Sequence, residues 1–186
     1  MRHAFVPILL VSCLCGKFAV ADVISASPAG FSLAHEVTIE AVRADVWRAA
    51  IGDVGLWWSS DHTISGDARN MRIEPSPQGC FCESLGEHAG VVHLTVTFVN
   101  PQVLLRLTGG LGPLGLMGVN GNMLWEFVDN GAGTTVRFSY TVGGYRPGGL
   151  EALAGSVDYV IGEALLRLKA HIEAGDASTA DLSGIE

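Results

Sequence analysis

The spacing of apolar residues changes along the chain, and each change predicts a different element. In residues 31–41, Val37 and Ile39 alternate with Glu36, Thr38 and Glu40, the signature of a half-buried strand. Val46, Trp47, Ala50 and Ile51 then recur at helical spacing, and residues 53–60 read as a second short helix running into Trp57 and Trp58. Residues 66–98 predict three strands, with turn signals at 75–79 and around Gly86. Residues 103–108, 122–128 and 134–142 predict three more, and Asp129-Asn130-Gly131 between the last two is a hairpin signal. After Pro147-Gly148-Gly149, apolar positions at Leu150, Leu153, Val157, Val160, Ile161, Ala164, Leu165 and Leu168 form one wide stripe, a long amphipathic helix.

This order predicts an α+β domain over residues 31–174. One curved antiparallel sheet of about seven strands wraps round a long C-terminal helix, with two short helices after the first strand. Alternation assigns the inward faces. Met123, Trp125 and Phe127 share one, opposite Glu126; Val136, Phe138, Tyr140 and Val142 share another, opposite Arg137 and Ser139. In residues 92–98 the inward set is Val92, Leu94, Val96 and Phe98, which leaves His93 facing solvent. With Val157 and Tyr159 from the long helix, the interior is rich in aromatic rings and carries a few polar handles, the mixture that lines small-ligand pockets.

The N-terminus bears on compartment. Met1-Arg2-His3 is a short basic start, an apolar stretch follows, and Ala19-Val20-Ala21 fits a signal-peptidase site, so residues 1–21 read as a signal peptide and the protein as periplasmic or secreted. Leu10-Val11-Ser12-Cys13 also resembles a lipobox that would anchor the chain through Cys13, but it leaves a short signal, and cleavage after Ala21 is the favoured reading. The apolar stretch is shorter than the ~20 residues of a membrane span. Residues 22–30 read as a linker and residues 175–186 as a disordered tail.

Hydrophobic residues make up 48% of the chain and charged ones 16%, with a net charge of −8 and no run of basic residues. That balance excludes a nucleic-acid partner, because phosphate binding needs clustered cations. No phosphate loop, nucleophile elbow or zinc-protease motif is present, so the sequence names no catalytic residue, and nothing in it asks for a cofactor.

Two stretches invite chemistry. In residues 79–93, GCFCESLGEHAGVVH, the residues Cys80, Cys82, His88 and His93 are all metal-ligand types. Their spacing matches no structural zinc site, and His93 falls on the wrong face unless a bulge turns it inward. A Cys80–Cys82 disulfide sits at the outer limit of reach, since Cα atoms two apart on a strand lie ~6.5–7 Å from each other. Free cysteines lining the cavity are the favoured reading. The glycine-rich residues 109–118 read either as a mobile lid, with Leu111, Leu114, Leu116 and Met117 toward a ligand, or as a loop packed on the core. Beyond these, His62 follows the tryptophan pair near the expected cavity rim, where a general base would serve a cyclase-type reaction; a surface histidine in a turn is the commoner reading.

The element order, with Leu56-Trp57-Trp58, the strand start Gly79-Cys80-Phe81 and the turn Asn100-Pro101-Gln102-Val103-Leu104, resembles the START-like (SRPBCC, Bet v 1-like) superfamily. The nearest resemblance is to its bacterial branch named after the activator of Hsp90 ATPase. The resemblance implies a helix-grip fold with a deep apolar cavity for a lipid-like, aromatic or polyketide-like molecule; only some members are enzymes. The expected ligand contacts are Trp57, Phe81, Leu94, Val96, Leu111, Met117, Met123, Trp125, Phe127, Phe138, Tyr140, Val157 and Tyr159. Carriage of a small hydrophobic molecule is the leading expectation. A cyclase or dehydratase using a titratable residue in the cavity, or an envelope interaction module with a solid core, are the alternatives. A histidine or carboxylate inside the cavity favours the enzyme, an all-apolar lining the carrier, and no cavity the module.

Overall fold

The structure, a computed structural model, describes residues 20–183 and residue 185. The expected signal segment up to Ala19, with Cys13, lies outside the described residues. The fold is α+β, with one antiparallel sheet of eight strands and a long C-terminal helix. The strands are β1 (Val20–Ser27), β2 (Gly30–Ile39), β3 (Met71–Ile73), β4 (Cys80–Gly86), β5 (Ala89–Asn100), β6 (Leu104–Gly109), β7 (Gly118–Asp129) and β8 (Thr134–Tyr145), in the spatial order β1-β2-β8-β7-β6-β5-β4-β3. Two short helices, α1 (Arg43–Gly52) and α2 (Val54–Trp57), link β2 to β3, and α3 (Glu151–Ala174) follows β8.

The eighth strand is β1. Residues 22–27, expected as linker, pair with β2 along the sheet edge, with a register shift between Val23 and Ser25. Their small and polar composition hid the strand, because an edge position exposes Val23 and Ile24 and requires no alternation. The tail differs from expectation too. Residues 177–179 form a single 3-10 turn, Ala177 is buried, and Ile185 lies against Gly162 of α3.

Helix α3 is tied to β2 along its length. The His35 imidazole meets Asp158 at 2.8 Å, the Lys169 ammonium donates to the Thr38 carbonyl at 2.7 Å, and Glu173 accepts from the Glu40 N–H at 2.7 Å. Gly175 ends the helix in the left-handed region (φ +74°), its N–H donating to the His171 carbonyl.

Strands β7 and β8 pair over twelve residues without a register shift, from Gly118↔Tyr145 to Asp129↔Thr134. Their inward residues match the alternation: Met123, Trp125, Phe127, Val136, Phe138, Tyr140 and Val142 are all buried. Strand β5 does not behave this way. Phe81 faces Leu94 and Cys82 faces Val92, so His93 is an extra residue, and a second shift falls between Val96 and Phe98. Each bulge puts two neighbours on one side and inverts the alternation beyond it. His93 is therefore buried, while Val92 (62% exposed) and Phe98 (45%), expected inside, face out. Phe98 lies instead under the Arg106 guanidinium, 5.9 Å from its ring centre.

Candidate functional site

The site begins with the two side chains that the bulge buries together. The Glu83 and His93 side chains meet with almost no exposure, and an unpaired buried charge would be prohibitive. Their partners come from two loops. Glu83 accepts the Ile64 N–H at 3.0 Å, the Ser65 N–H, and His93 Nε2–H at 3.1 Å. His93 Nδ1 accepts the Gly112 N–H at 3.3 Å. A carboxylate only accepts and a backbone N–H only donates, so His93 is the neutral Nε2–H tautomer with both nitrogens engaged. Burial pushes the Glu83 carboxyl up, but the hydrogen bonds from Ser65, Ile64 and His93 outweigh it, and the group lies below its ordinary value.

Tyr140 holds the second loop from below. Its hydroxyl donates to the Gly109 carbonyl at 2.9 Å and accepts the Leu111 N–H at 3.1 Å. Its ring lies over Gly121, where a Cβ would come within 2.5 Å of it, so glycine there lets the phenol reach the loop. Burial pushes the phenol up to about 12.

Between these loops and the N-terminal half of α3 lies a cavity of about 320 Å³, at the small end of the roughly 300–1,000 Å³ of ligand pockets. One wall is Trp58 with residues 61–64, another is Met71 and His93, and a third is Leu111, Pro113, Leu114 and Met117; Leu153, Ser156, Val157 and Val160 of α3 close it. The lining is mostly apolar. His62 stands in the first wall with its Nε2 donating to Glu163 of α3 at 2.8 Å. Glu163 is buried and lies 3.9 Å from the Arg167 guanidinium, whose Nε donates to the Trp57 carbonyl at 2.9 Å. The Tyr159 ring packs edge-on against His62, with centroids 6.3 Å apart.

Of the expected ligand contacts, Leu111, Met117 and Val157 line this cavity. Leu94, Val96, Met123, Trp125, Phe127 and Phe138 are packed in the solid core instead, with Trp125 and Phe138 edge-to-face at 5.2 Å. Tyr140 is fully buried and its hydroxyl is committed to the loop, so the polar handle expected of it is already in use. Phe81 lies beneath the cavity against Trp58 and His93. Trp57 is a plug whose indole donates to the Ala49 carbonyl at 3.1 Å; the chain turns extended at Trp58, which places the second tryptophan, not the first, at the cavity. Tyr159 is 38% exposed, outside the lining. In residues 109–118, Leu111 and Leu114 are buried and line the cavity with Met117, whereas Leu116, expected toward a ligand, is in solvent.

The cysteines were expected free and in the cavity. In the structure Cys80 and Cys82 form a disulfide, and neither lines the cavity. Their Cα atoms are 5.4 Å apart, closer than an ideal strand allows, beside the register shift between Phe81 and Cys82. His88 is exposed, so the four soft ligands of this stretch do not converge. Among the described residues no group of three or more histidine, cysteine or carboxylate side chains is arranged to hold a metal ion, and no helix is long and apolar enough to cross a membrane.

No known protein family matches the chain by sequence, and no curated protein does. Solved structures do match. A conserved protein of unknown function from Enterococcus faecalis, EF2215, superimposes with a TM-score of 0.59 at 14% identity, over 90% of this chain and 85% of its own. CalU16 from Micromonospora echinospora gives 0.51 at 14% identity over 84% and 85%. DynU16, encoded in the dynemicin biosynthetic locus, gives 0.55 at 16% identity, covering 79% of this chain and 49% of its own. At such identities the likeness is one of fold, and it is consistent with the helix-grip arrangement.

Proposed function

We propose that the protein binds a small, mainly apolar molecule in the cavity beside His62 and His93, and that its fold is that of the START-like superfamily. The single observation that carries this is a mainly apolar space of about 320 Å³ whose loop walls are tied to the sheet by buried hydrogen bonds. The size suits one or two fused rings. DynU16's place in a biosynthetic locus supports a small-molecule role. The disulfide supports export to an oxidising compartment, because such bonds seldom persist in reducing ones. Nothing in the fold favours the branch named after the Hsp90 activator over other branches.

A second reading rests on His62. A histidine backed by a buried carboxylate is the arrangement of a general base, so a cyclase or dehydratase reaction in the same cavity is the alternative. Asp61 and His93 also line the cavity, and titratable groups there favour the enzyme. Binding is kept as the first reading because both nitrogens of His93 are already hydrogen-bonded and the lining is mostly apolar. Calorimetric titration with naphthol tests it. Saturable one-to-one binding is expected, and Val157→Phe, which fills the space, should abolish it while leaving the fold intact. No saturation with the parent protein overturns the proposal.

A further inference from the structure

Hydrogen-bond capacity round the cavity shows which ligand chemistry it suits. His93 has both nitrogens occupied, the Trp58 indole donates to the His62 carbonyl at 3.1 Å, and the Thr63 hydroxyl donates to the Ser60 carbonyl at 2.7 Å. Three lining side chains remain without a protein partner among the described residues: His62 at Nδ1, the Asp61 carboxylate and the Ser156 hydroxyl. Glu163 only accepts, so Nε2 of His62 carries its hydrogen and Nδ1 presents a lone pair. That nitrogen is not a buried orphan, so it is open to an incoming group. The accounting leaves two acceptors and one hydroxyl, and no free donor that is charged.

The local field points the same way. Asp61 stands beside His62 and Glu163 stands behind it. The nearby cation, Arg167, faces Glu163 and the Trp57 carbonyl. Tyr159 packs on the His62 ring, the far wall carries the His93–Glu83 pair, and neither Met71 nor the wall from Leu111 to Met117 holds an ionisable group. No lysine or arginine lines the cavity.

Resting on the binding reading above, we infer that the site selects a neutral apolar molecule carrying a hydroxyl, a phenol or an alcohol, and rejects the carboxylic acid of the same size. His62 Nδ1 accepts the hydroxyl hydrogen, and Glu163 is the positioning residue that fixes the imidazole tautomer. A carboxylate ligand would add a negative charge to a site that already has Asp61, Glu163 and Glu83 round it and no lining cation to offset it.

The test is a matched series, naphthol, its methyl ether and naphthoic acid, titrated into the full chain at mildly alkaline pH, where imidazoles are neutral. Naphthol should bind roughly tenfold tighter than its ether, the effect of one good hydrogen bond, and naphthoate weaker than either. His62→Phe should bring naphthol and ether to equal affinity while both still bind. Glu163→Gln, which lets the amide donate to Nε2 and moves the imidazole hydrogen to Nδ1, should shrink the preference with little effect on the ether. Equal binding of naphthol and ether by the parent protein, or tighter binding of naphthoate, overturns the inference and leaves the cavity reading standing. Failure of all three to bind overturns both.

Discussion

The two halves of the sheet were built from similar residues and came out differently. Strands β7 and β8 pair without interruption, and their inward side chains close into solid packing, with Trp47 on Phe127 at 5.1 Å and Trp125 on Phe138 at 5.2 Å. Strands β4 and β5 carry one bulged register after another, and the cavity lies over them. The link between bulge and cavity is polar. The extra residue in β5 turns His93 inward beside Glu83, which shares the face of Phe81 by ordinary alternation, and buried polar groups must find partners. Those partners are backbone N–H groups of residues 64, 65 and 112, so two loops are suspended above the sheet instead of collapsing onto it. A regular ladder fills its space, whereas a bulged one with buried polar groups props a space open.

Truncation in the two halves should separate them most. Trp125→Ala removes a fully packed ring and should cost about 3–5 kcal/mol. Val157→Ala trims a side chain that already faces empty space and should cost under about 1 kcal/mol. Urea unfolding of the two variants measures both, and equal losses would mean that the cavity is filled in solution.

The next effect tests the prop itself. Glu83→Ala leaves two backbone N–H groups and His93 Nε2–H without an acceptor, and should cost about 3 kcal/mol or more. The acid limb gives the sign. A carboxyl whose folded value is depressed contributes stability above its unfolded value, near 4.5, and that contribution disappears as pH falls through the lower folded value. Glu83→Gln should therefore be less stable at neutral pH and lose less on acidification below that point. A parallel acid profile in the two proteins would show that Glu83 is not the group being protonated.

What could be read from the sequence follows the same division. The hairpin at Asp129-Asn130-Gly131, the β7–β8 inward faces and the stripe of α3 were legible because each obeys a strict period over many residues. A cavity was expected, but its place and lining were not legible, because they depend on one extra residue, His93, whose effect on alternation has no local composition signal. His93 needs a bulge to turn inward, and no period calls for one; its partner Glu83 stands ten residues away in the same hairpin, while the Gly112 N–H belongs to the backbone and carries no signal of residue type. His62 was visible as a candidate base, but its carboxylate, Glu163, lies 101 residues away on α3, where the i,i+4 spacing points to Arg167 as its partner. Trp57 and Trp58 could not be ranked by periodicity, since the helix that carries them ends between them.

The finest comparison sets two tyrosines against each other, one in each environment. Both carry hydroxyls expected to anchor a ligand, yet Tyr140 is sealed beneath the loop and Tyr159 stands at the rim. Tyr140→Phe keeps the ring over Gly121 but strips the Gly109 carbonyl and Leu111 N–H of their partner, both at the start of the cavity wall. The loss should be about 1–2 kcal/mol, concentrated in the loop, so hydrogen exchange at the Leu111 and Gly112 amides should quicken more than exchange in β7. Tyr159→Phe removes a hydroxyl with no protein partner among the described residues and should change stability by under about 0.5 kcal/mol. Because its ring still packs on His62, ligand preference should also survive. If the two substitutions cost the same, or if Tyr140→Phe leaves the loop amides protected, then the loop is held by its own apolar packing through Leu111 and Leu114, and the Tyr140 hydroxyl is not one of the supports that keep the cavity open.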